Sequence, residues 1–482
     1  MNERQRRREE AVRRKAEAKA RKLEARQKRA DSRRARTEAR IGPTIHPGVL
    51  EAEPVFGGEA YVVDLGPRDA PAVVLVHGVG DNAARDWDGL IPALAGSHRV
   101  VAFDLPGFGR STKANAAYKP GAYVKFIERV AGARLGRPFS LIGHSMGGAI
   151  ALAYAGANPK DVERLIVADA AGILHRHAFG EYALSLGIRG VPGWDAVTEH
   201  PIGAALGDVL SGIAEGFAHK LIRPYFSVEP DPSTLFELAA VRERVLGGDP
   251  LKIAGLFLIT ENFGPAIAAV AAPPLLIWGE EDRIAPLRTG LLLCSMIPGS
   301  RLELLAGCGH VPMRERPERF NELVLEWLES PPRARERKRA RAPVSGPEER
   351  LTRVHGRELG GERGRLIIED CEGVALRGVR AQSVVIRRSA VEMEGCDVDG
   401  EGIGLDVEDA RVKVTGGSIR GEVAIRTESS DLDLAGTEVD GRAAAVRSAV
   451  EAEVLFSVCP VRSPRSSGFL HGVYRVGAAE EI

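Results

Sequence analysis

The sequence predicts an α/β fold built on a mostly parallel sheet, joined to an all-β solenoid. Apolar runs alternate with helical patterns from Pro47 to Ser330, and short alternating strands recur about every twenty residues beyond Arg350. A Pro- and Arg-rich segment, "PPRARERKRARAPVSGPEER" (331–350), separates the two textures and reads as a linker. With 482 residues the chain is too long for one ordinary core.

The apolar runs are "AVVLVHG", "RVVAFD", "FSLIGHS", "RLIVADA", "PLLIWGEED" and "RLELLAGCGH", each ending in a polar or glycine-containing turn. Hydrophobicity on both strand faces is what a parallel sheet covered by helices on each side requires. The final helix is predicted from Phe320, Leu323, Val324, Trp327 and Leu328, which fall on one face. Residues 172–272, between the fourth and fifth of these runs, carry helical patterns and are too long for a connecting loop. They are read as a helical cap. The domains expected are therefore a basic arm (1–40), an α/β domain (41–330) containing the cap, the linker, and the solenoid (351–482).

The arm lacks Gly and Pro and is rich in helix formers. Glu9–Arg13, Glu10–Arg14, Glu17–Arg21 and Glu24–Lys28 each stand in the favourable i,i+4 order. A charged, solvated helix is expected. With about ten more positive than negative charges, it also suits docking to an acidic surface, nucleic acid or an anionic membrane. The remainder offsets that charge, because the chain holds 66 basic and 66 acidic residues. There is no secretory h-region and no apolar run of about twenty residues. The five cysteines form no C-x-x-C pair and read as reduced thiols. A soluble cytoplasmic protein is the expectation, peripheral at the membrane if the arm docks there.

In the solenoid region, "VVIRRSAVEMEGCDVDG", "IGLDVEDARVKVTGGSIRG", "VAIRTESSDLDLAGTEVDG" and "AAVRSAVEAEVLFSVCPVRS" align, with Ile386, Leu405, Ile425 and Val446 at equivalent places. The pattern resembles a right-handed parallel β-helix. The expected role is binding or assembly: self-association, as in the bactofilins it resembles, or attachment to a polymer. Asp397, Asp399, Asp406, Asp409, Asp431, Asp433 and Asp440 are expected mostly at turns. Gly468–Val476 is expected to cap an open end.

The chemistry gathers at "LIGHSMGGAIALAYA". Gly143-His144-Ser145-Met146-Gly147 is a G-x-S-x-G between an apolar strand and an Ala-rich helix, the context of a nucleophile elbow. A serine needs a base, and the base needs an orienting carboxylate. His310, on a glycine-punctuated loop, and Asp282, after "LLIWGEE", both follow strand ends. Asp169, after "LIVA", also ends a strand and stays open as an alternative acid; Glu281 is adjacent to Asp282. His144 reads as packing, Asp104 as a loop anchor, Trp87 and Trp278 as core. His175 and His177 read as structural or solvated residues at the start of the cap.

Five blocks carry a family resemblance: "LVHGVGDN" (75–82), "DLPGFGRS" (104–111), "GHSMGG" (143–148), "WGEED" (278–282) and "GCGHVPMRERPERF" (307–320). Residues 47–330 resemble a capped α/β-hydrolase. That resemblance implies an eight-stranded sheet, with Ser145 as nucleophile, His310 as base and Asp282 as acid. It also implies an oxyanion hole from the backbone N–H groups of Val79 and Met146. No metal-ligand spacing and no dinucleotide fingerprint appears, so no cofactor and no metal are expected. Ser145 argues against the dehalogenases and epoxide hydrolases of this fold, which carry aspartate at the elbow.

The apolar faces of "PIGAALGDVLSGIAEGF" and "LKIAGLFLITENFGPAIAAVAA" favour a hydrophobic acyl substrate. Ester hydrolysis is expected. Thioesterase, carbon–carbon hydrolase and cofactor-independent haloperoxidase chemistry remain alternatives on the same triad. A further alternative is a non-enzymatic interaction protein working through the solenoid and arm. As both read as accessory, residues 41–330 alone are expected to keep the reaction.

Overall fold

Eight strands form the first sheet: β1 (Val49–Glu53), β2 (Gly58–Leu65), β3 (Ala72–Val76), β4 (Arg99–Phe103), β5 (Phe139–His144), β6 (Val162–Ala168), β7 (Leu275–Gly279) and β8 (Arg301–Leu305). The computed structural model describes residues 46–80, 83–136, 138–178, 232–331, 344–450, 452–477 and 481–482. The helix expected for the arm, most of the expected cap and the basic part of the linker lie outside the described residues. Strand order is β1-β2-β4-β3-β5-β6-β7-β8, parallel from β4 through β8. The six apolar runs are β3 to β8. β1 and β2 pair antiparallel at one edge and carry charged residues, because an edge strand need bury only one face.

Alternation within each strand divides the two covering layers. Val73, Leu75, Val100, Ile142, Ile166 and Ile277 share a cluster with Phe320, Val324 and Trp327. Val74, Val76, Val101, Leu141, Val167 and Leu276 face the opposite layer, with helices α1 (Pro120–Arg134) and α2 (Met146–Ala157). All five residues that predicted the last helix are buried in Pro317–Glu329, each worth about 1.5–3 kcal/mol of apolar burial. Trp87 and Trp278 are fully buried. The described part of the cap region is helical: α3 (Ala239–Leu246), α4 (Pro250–Thr260) and α5 (Gly264–Ala269). No helix among the described residues is long and apolar enough to cross a membrane. All five cysteines are free.

Fourteen strands between Glu349 and Val476 make the second sheet, stacked in parallel rungs except for the last strand. Leu405 pairs with Ile425 and Ile425 with Val446, as the repeat predicts. Ile386 does not join them: it pairs with Val407, and Val384 pairs with Leu405. Val384 and Ile386 both point inward, so a period of two cannot choose between them. The aspartates also depart from expectation. Of the seven, Asp397, Asp399, Asp406, Asp431, Asp433 and Asp440 lie within strands. Several pair with arginines one rung away, as Asp406 does with Arg426 at 2.6 Å. Ser467–Val476 runs antiparallel to Ala452–Arg462 and covers that end, where a cap was expected.

One corner of the solenoid is built from glycine. Gly378, Gly395, Gly416 and Gly436 occupy it in four successive rungs, with φ between 60° and 66°. Each donates its N–H to the residue preceding the next corner, and Gly436 donates to Ser457. The next corner is therefore Val458, which keeps φ at 47° although it is β-branched. Such a backbone costs about 1–3 kcal/mol and persists only where its surroundings enforce it.

That corner is where the two sheets meet. Helix α6 (Leu287–Met296) runs along it: a Cβ on Gly416 would lie 2.5 Å from Ser295, and one on Gly436 would lie 2.7 Å from Leu292. Ser295 Oγ accepts from Gly417 N (2.9 Å). Arg288 donates to Thr415 Oγ1 (2.8 Å), to the Val414 carbonyl (3.0 Å) and to both carboxylate oxygens of Asp433. Ala435, Leu455 and Val458 are part of the hydrophobic cluster of the first sheet. The solenoid thus packs directly on the α/β core.

At this junction His175 packs edge to face on His471, with ring centres 5.0 Å apart. Burial holds His175 down to about 2 and His471 down to about 4, and the Arg176 charge adds to both. On acidification the unfolded chain protonates these rings first, near the ordinary histidine value of about 6.5, so stability is lost as pH falls from there. Between pH 7 and pH 5 the melting temperature of wild type, read in a thermal scan, should fall relative to that of His471→Gln.

Candidate active site

β5 ends at His144 and α2 begins at Met146, so Ser145 alone makes the turn, with φ 54° and ψ −121°. Its N–H donates to the Ala168 carbonyl, and its carbonyl accepts from Gly148, Ala149 and Ala171. The turn closes only because its neighbours lack side chains. A Cβ on Gly147 would lie 2.2 Å from the Val76 carbonyl oxygen, and one on Gly143 would lie 2.3 Å from the Gly147 carbonyl oxygen.

The loops after β7 and β8 bring Asp282 and His310 to this point. His310 Nε2 lies 2.9 Å from Ser145 Oγ, and His310 Nδ1 lies 2.8 Å from Asp282 Oδ2. With Nδ1 protonated toward the carboxylate, the Nε2 lone pair accepts from the serine hydroxyl. The other oxygen of Asp282 accepts from Ile284 N (2.7 Å) and Ala285 N (2.9 Å), and Trp278 Nε1 ties the same loop through the Ala285 carbonyl (2.8 Å). All three side chains are buried.

Asp169 stands behind this chain rather than in it. Its Oδ1 accepts from Gly279 N (2.9 Å). Burial, and then the adjacent Asp282 charge, push its carboxyl well above the usual range. Asp282 is the carboxylate that meets His310. Glu281 is exposed. Asp169, Asp282 and His310 have ligand-type atoms within 4.8 Å of one another, but His310 and Asp282 are committed to each other.

His144 donates from Nε2 to the His310 carbonyl (2.7 Å), so it holds the His310 backbone in place. Asp104 accepts from Ala84 N (3.0 Å) and Arg110 N (2.7 Å), anchoring two loops. His77, unassigned by sequence reasoning, lies 2.6 Å from the Gly78 carbonyl through Nδ1 and accepts from Leu105 N (2.8 Å) through Nε2. Burial holds it down to about 4, so the ring stays neutral and fixes the loop that carries Val79. Its position before Gly78 in "HGVG" was the available signal.

Val79 and Ser145 line one cavity, with Leu174, Leu251, Leu258 and Ile284 forming much of its wall. Met146 opens α2, where the first N–H groups have no partner within the helix. Arg176 also lines the cavity, a charge that sequence reasoning did not foresee. His175 and His177 stack on one another, ring centres 5.1 Å apart.

Residues 73–323, just over half of the chain, match the model of the alpha/beta hydrolase family. The chain belongs to that family. An uncharacterized protein of Mycobacterium tuberculosis is 27% identical over 272 residues, covering 54% of this chain and 76% of the relative. The 2-hydroxymuconate semialdehyde hydrolase of a Pseudomonas strain is 30% identical over 269 residues, covering 53% of this chain and 86% of the relative. Among solved structures, a bacterial membrane phospholipase A aligns at a TM-score of 0.43 and 25% identity, over 62% of this chain and 90% of that one.

The glycine requirement at the elbow is testable. Gly147→Ala should destabilise the chain by more than about 3 kcal/mol, read from denaturant unfolding, because backbone rather than a movable side chain blocks the methyl group.

Proposed function

We propose that the chain is a serine hydrolase acting on a carboxylic ester, or a related acyl bond, of a hydrophobic small molecule. The observation that carries this reading is the hydrogen-bonded chain Ser145–His310–Asp282 opening onto an apolar cavity. His310 takes the serine proton as Oγ attacks the acyl carbon, and Asp282 stabilises the imidazolium that results. The oxyanion is received by the N–H groups of Val79 and Met146, each worth about 3 kcal/mol of barrier. His310 then returns its proton to the leaving alcohol, which departs as an acyl-enzyme forms on Ser145. Water, deprotonated by the same histidine, releases the acid.

Turnover of p-nitrophenyl esters of increasing acyl length tests this reading. Wild type should hydrolyse them, with an optimum set by the cavity, and Ser145→Ala should abolish turnover. Absence of turnover at every length from folded protein would contradict it. The assignment of the acid is separable. Asp282→Asn should lower kcat about 10³–10⁴-fold, whereas Asp169→Asn should retain most activity, because the hydrogen bond to His310 Nδ1 is made by Asp282.

Arg176 favours a second reading. A guanidinium at the wall of a largely apolar cavity suits a substrate carrying a carboxylate, and the relative's printed substrate is 2-hydroxymuconate semialdehyde. Carbon–carbon hydrolysis of an unsaturated keto acid would use the same serine. Turnover of such an acid at a higher kcat/KM than any ester, lost in Arg176→Met, would favour it.

A further inference from the structure

The last rung of the solenoid departs from its own pattern at one place, and that place touches the base of the cap. Four rungs put glycine at the corner facing the α/β domain, and the fifth puts Val458 there in the same left-handed backbone. The valine side chain is fully buried, and it belongs to the hydrophobic cluster that includes Ile173, Leu174 and Leu258. Its N–H, with no further rung to pair with, donates to His471 Nδ1 (3.2 Å). The preceding residue, Ser457, accepts from the backbone N–H of His175 (3.0 Å).

His175 is flanked by Leu174 and Arg176, and both line the cavity that holds Ser145. The chain is therefore pinned to the solenoid at the residue between two cavity-wall residues. The far end of the cap region is held by the same hairpin. Asn262 Nδ2 donates to the Phe469 carbonyl (3.0 Å), and the Phe469 ring covers Gly264, where a Cβ would lie 2.6 Å away.

We propose that Ser457 and Val458 are positioning residues of the hydrolase: the final rung is a fixed wall that sets the segment 173–176 against the substrate. A structural joint between two domains does not require a β-branched residue in a left-handed corner, since glycine serves in the four rungs before it. A residue inserted to hold the cavity wall does require a side chain there. Substrate groups reaching past the acyl carbon toward Leu174 and Arg176 would then depend on the solenoid, although no solenoid residue lines the described cavity.

The kinetic part of this inference rests on the serine-hydrolase reading, so the test has two arms, both in the full chain. In the first, KM for long-chain p-nitrophenyl esters should rise about tenfold more than KM for the acetate in Ser457→Ala and in Val458→Gly. Ser457→Thr, which keeps the acceptor, should restore the wild-type profile. In the second, backbone amide hydrogen exchange of residues 173–178 should accelerate in Ser457→Ala and Val458→Gly. Unchanged exchange overturns the inference, and so does faster exchange with an unchanged chain-length profile. If wild type shows no Ser145-dependent turnover, the catalytic reading fails, and the exchange measurement alone decides whether the rung positions the wall.

Discussion

Ser145 holds a backbone angle that serine avoids, and it does so because the strand, the helix and the neighbouring strand β3 leave the chain no other course. Gly143 and Gly147 touch backbone at distances a Cβ would fill, and Ser145 is tied through its N–H and carbonyl to four other residues. The strain is thereby distributed over the whole sheet edge. Everything else at the site depends on this turn. It aims Oγ at His310, starts α2 at Met146, and brings the Val79 loop alongside.

The electrostatics follow from burial. Three ionisable groups, Asp169, Asp282 and His310, lie together away from water. Asp282 receives two backbone N–H groups and the imidazole, while burial raises the pKa of the Asp169 carboxyl beside it. Neutral His77 and the contact from His144 to the His310 carbonyl then fix the remaining loops without adding charge. The arrangement leaves His310 Nε2 facing the Ser145 hydroxyl.

What was legible in the sequence was what local physics dictates. Parallel strands covered on both faces show as unbroken apolar runs, and a helix with one dry face shows as a five-residue stripe from Phe320 to Leu328. An elbow shows as glycines around Ser145. What stayed hidden depends on partners far along the chain. Asp169 and Asp282 both end strands, and only the hydrogen bond of Asp282 to His310 separates them. Val384 and Ile386 are equally apolar and equally inward, so the rung register escaped. The join between the domains escaped as well, because Arg288 and Asp433 stand 145 residues apart. Val458 is unremarkable as a letter and becomes informative only once its backbone is seen in line with four glycines.

The central claim is that His310 activates Ser145 as a nucleophile. Its most direct test is covalent: treat the folded chain with an alkyl phosphonofluoridate and map the modified peptide by mass spectrometry. The account predicts one label, on Ser145, formed at least a thousandfold more slowly when His310 is replaced by alanine, as expected of a serine that has lost its base. A chain that remains unlabelled, or one labelled at Ser145 equally fast without His310, would contradict it.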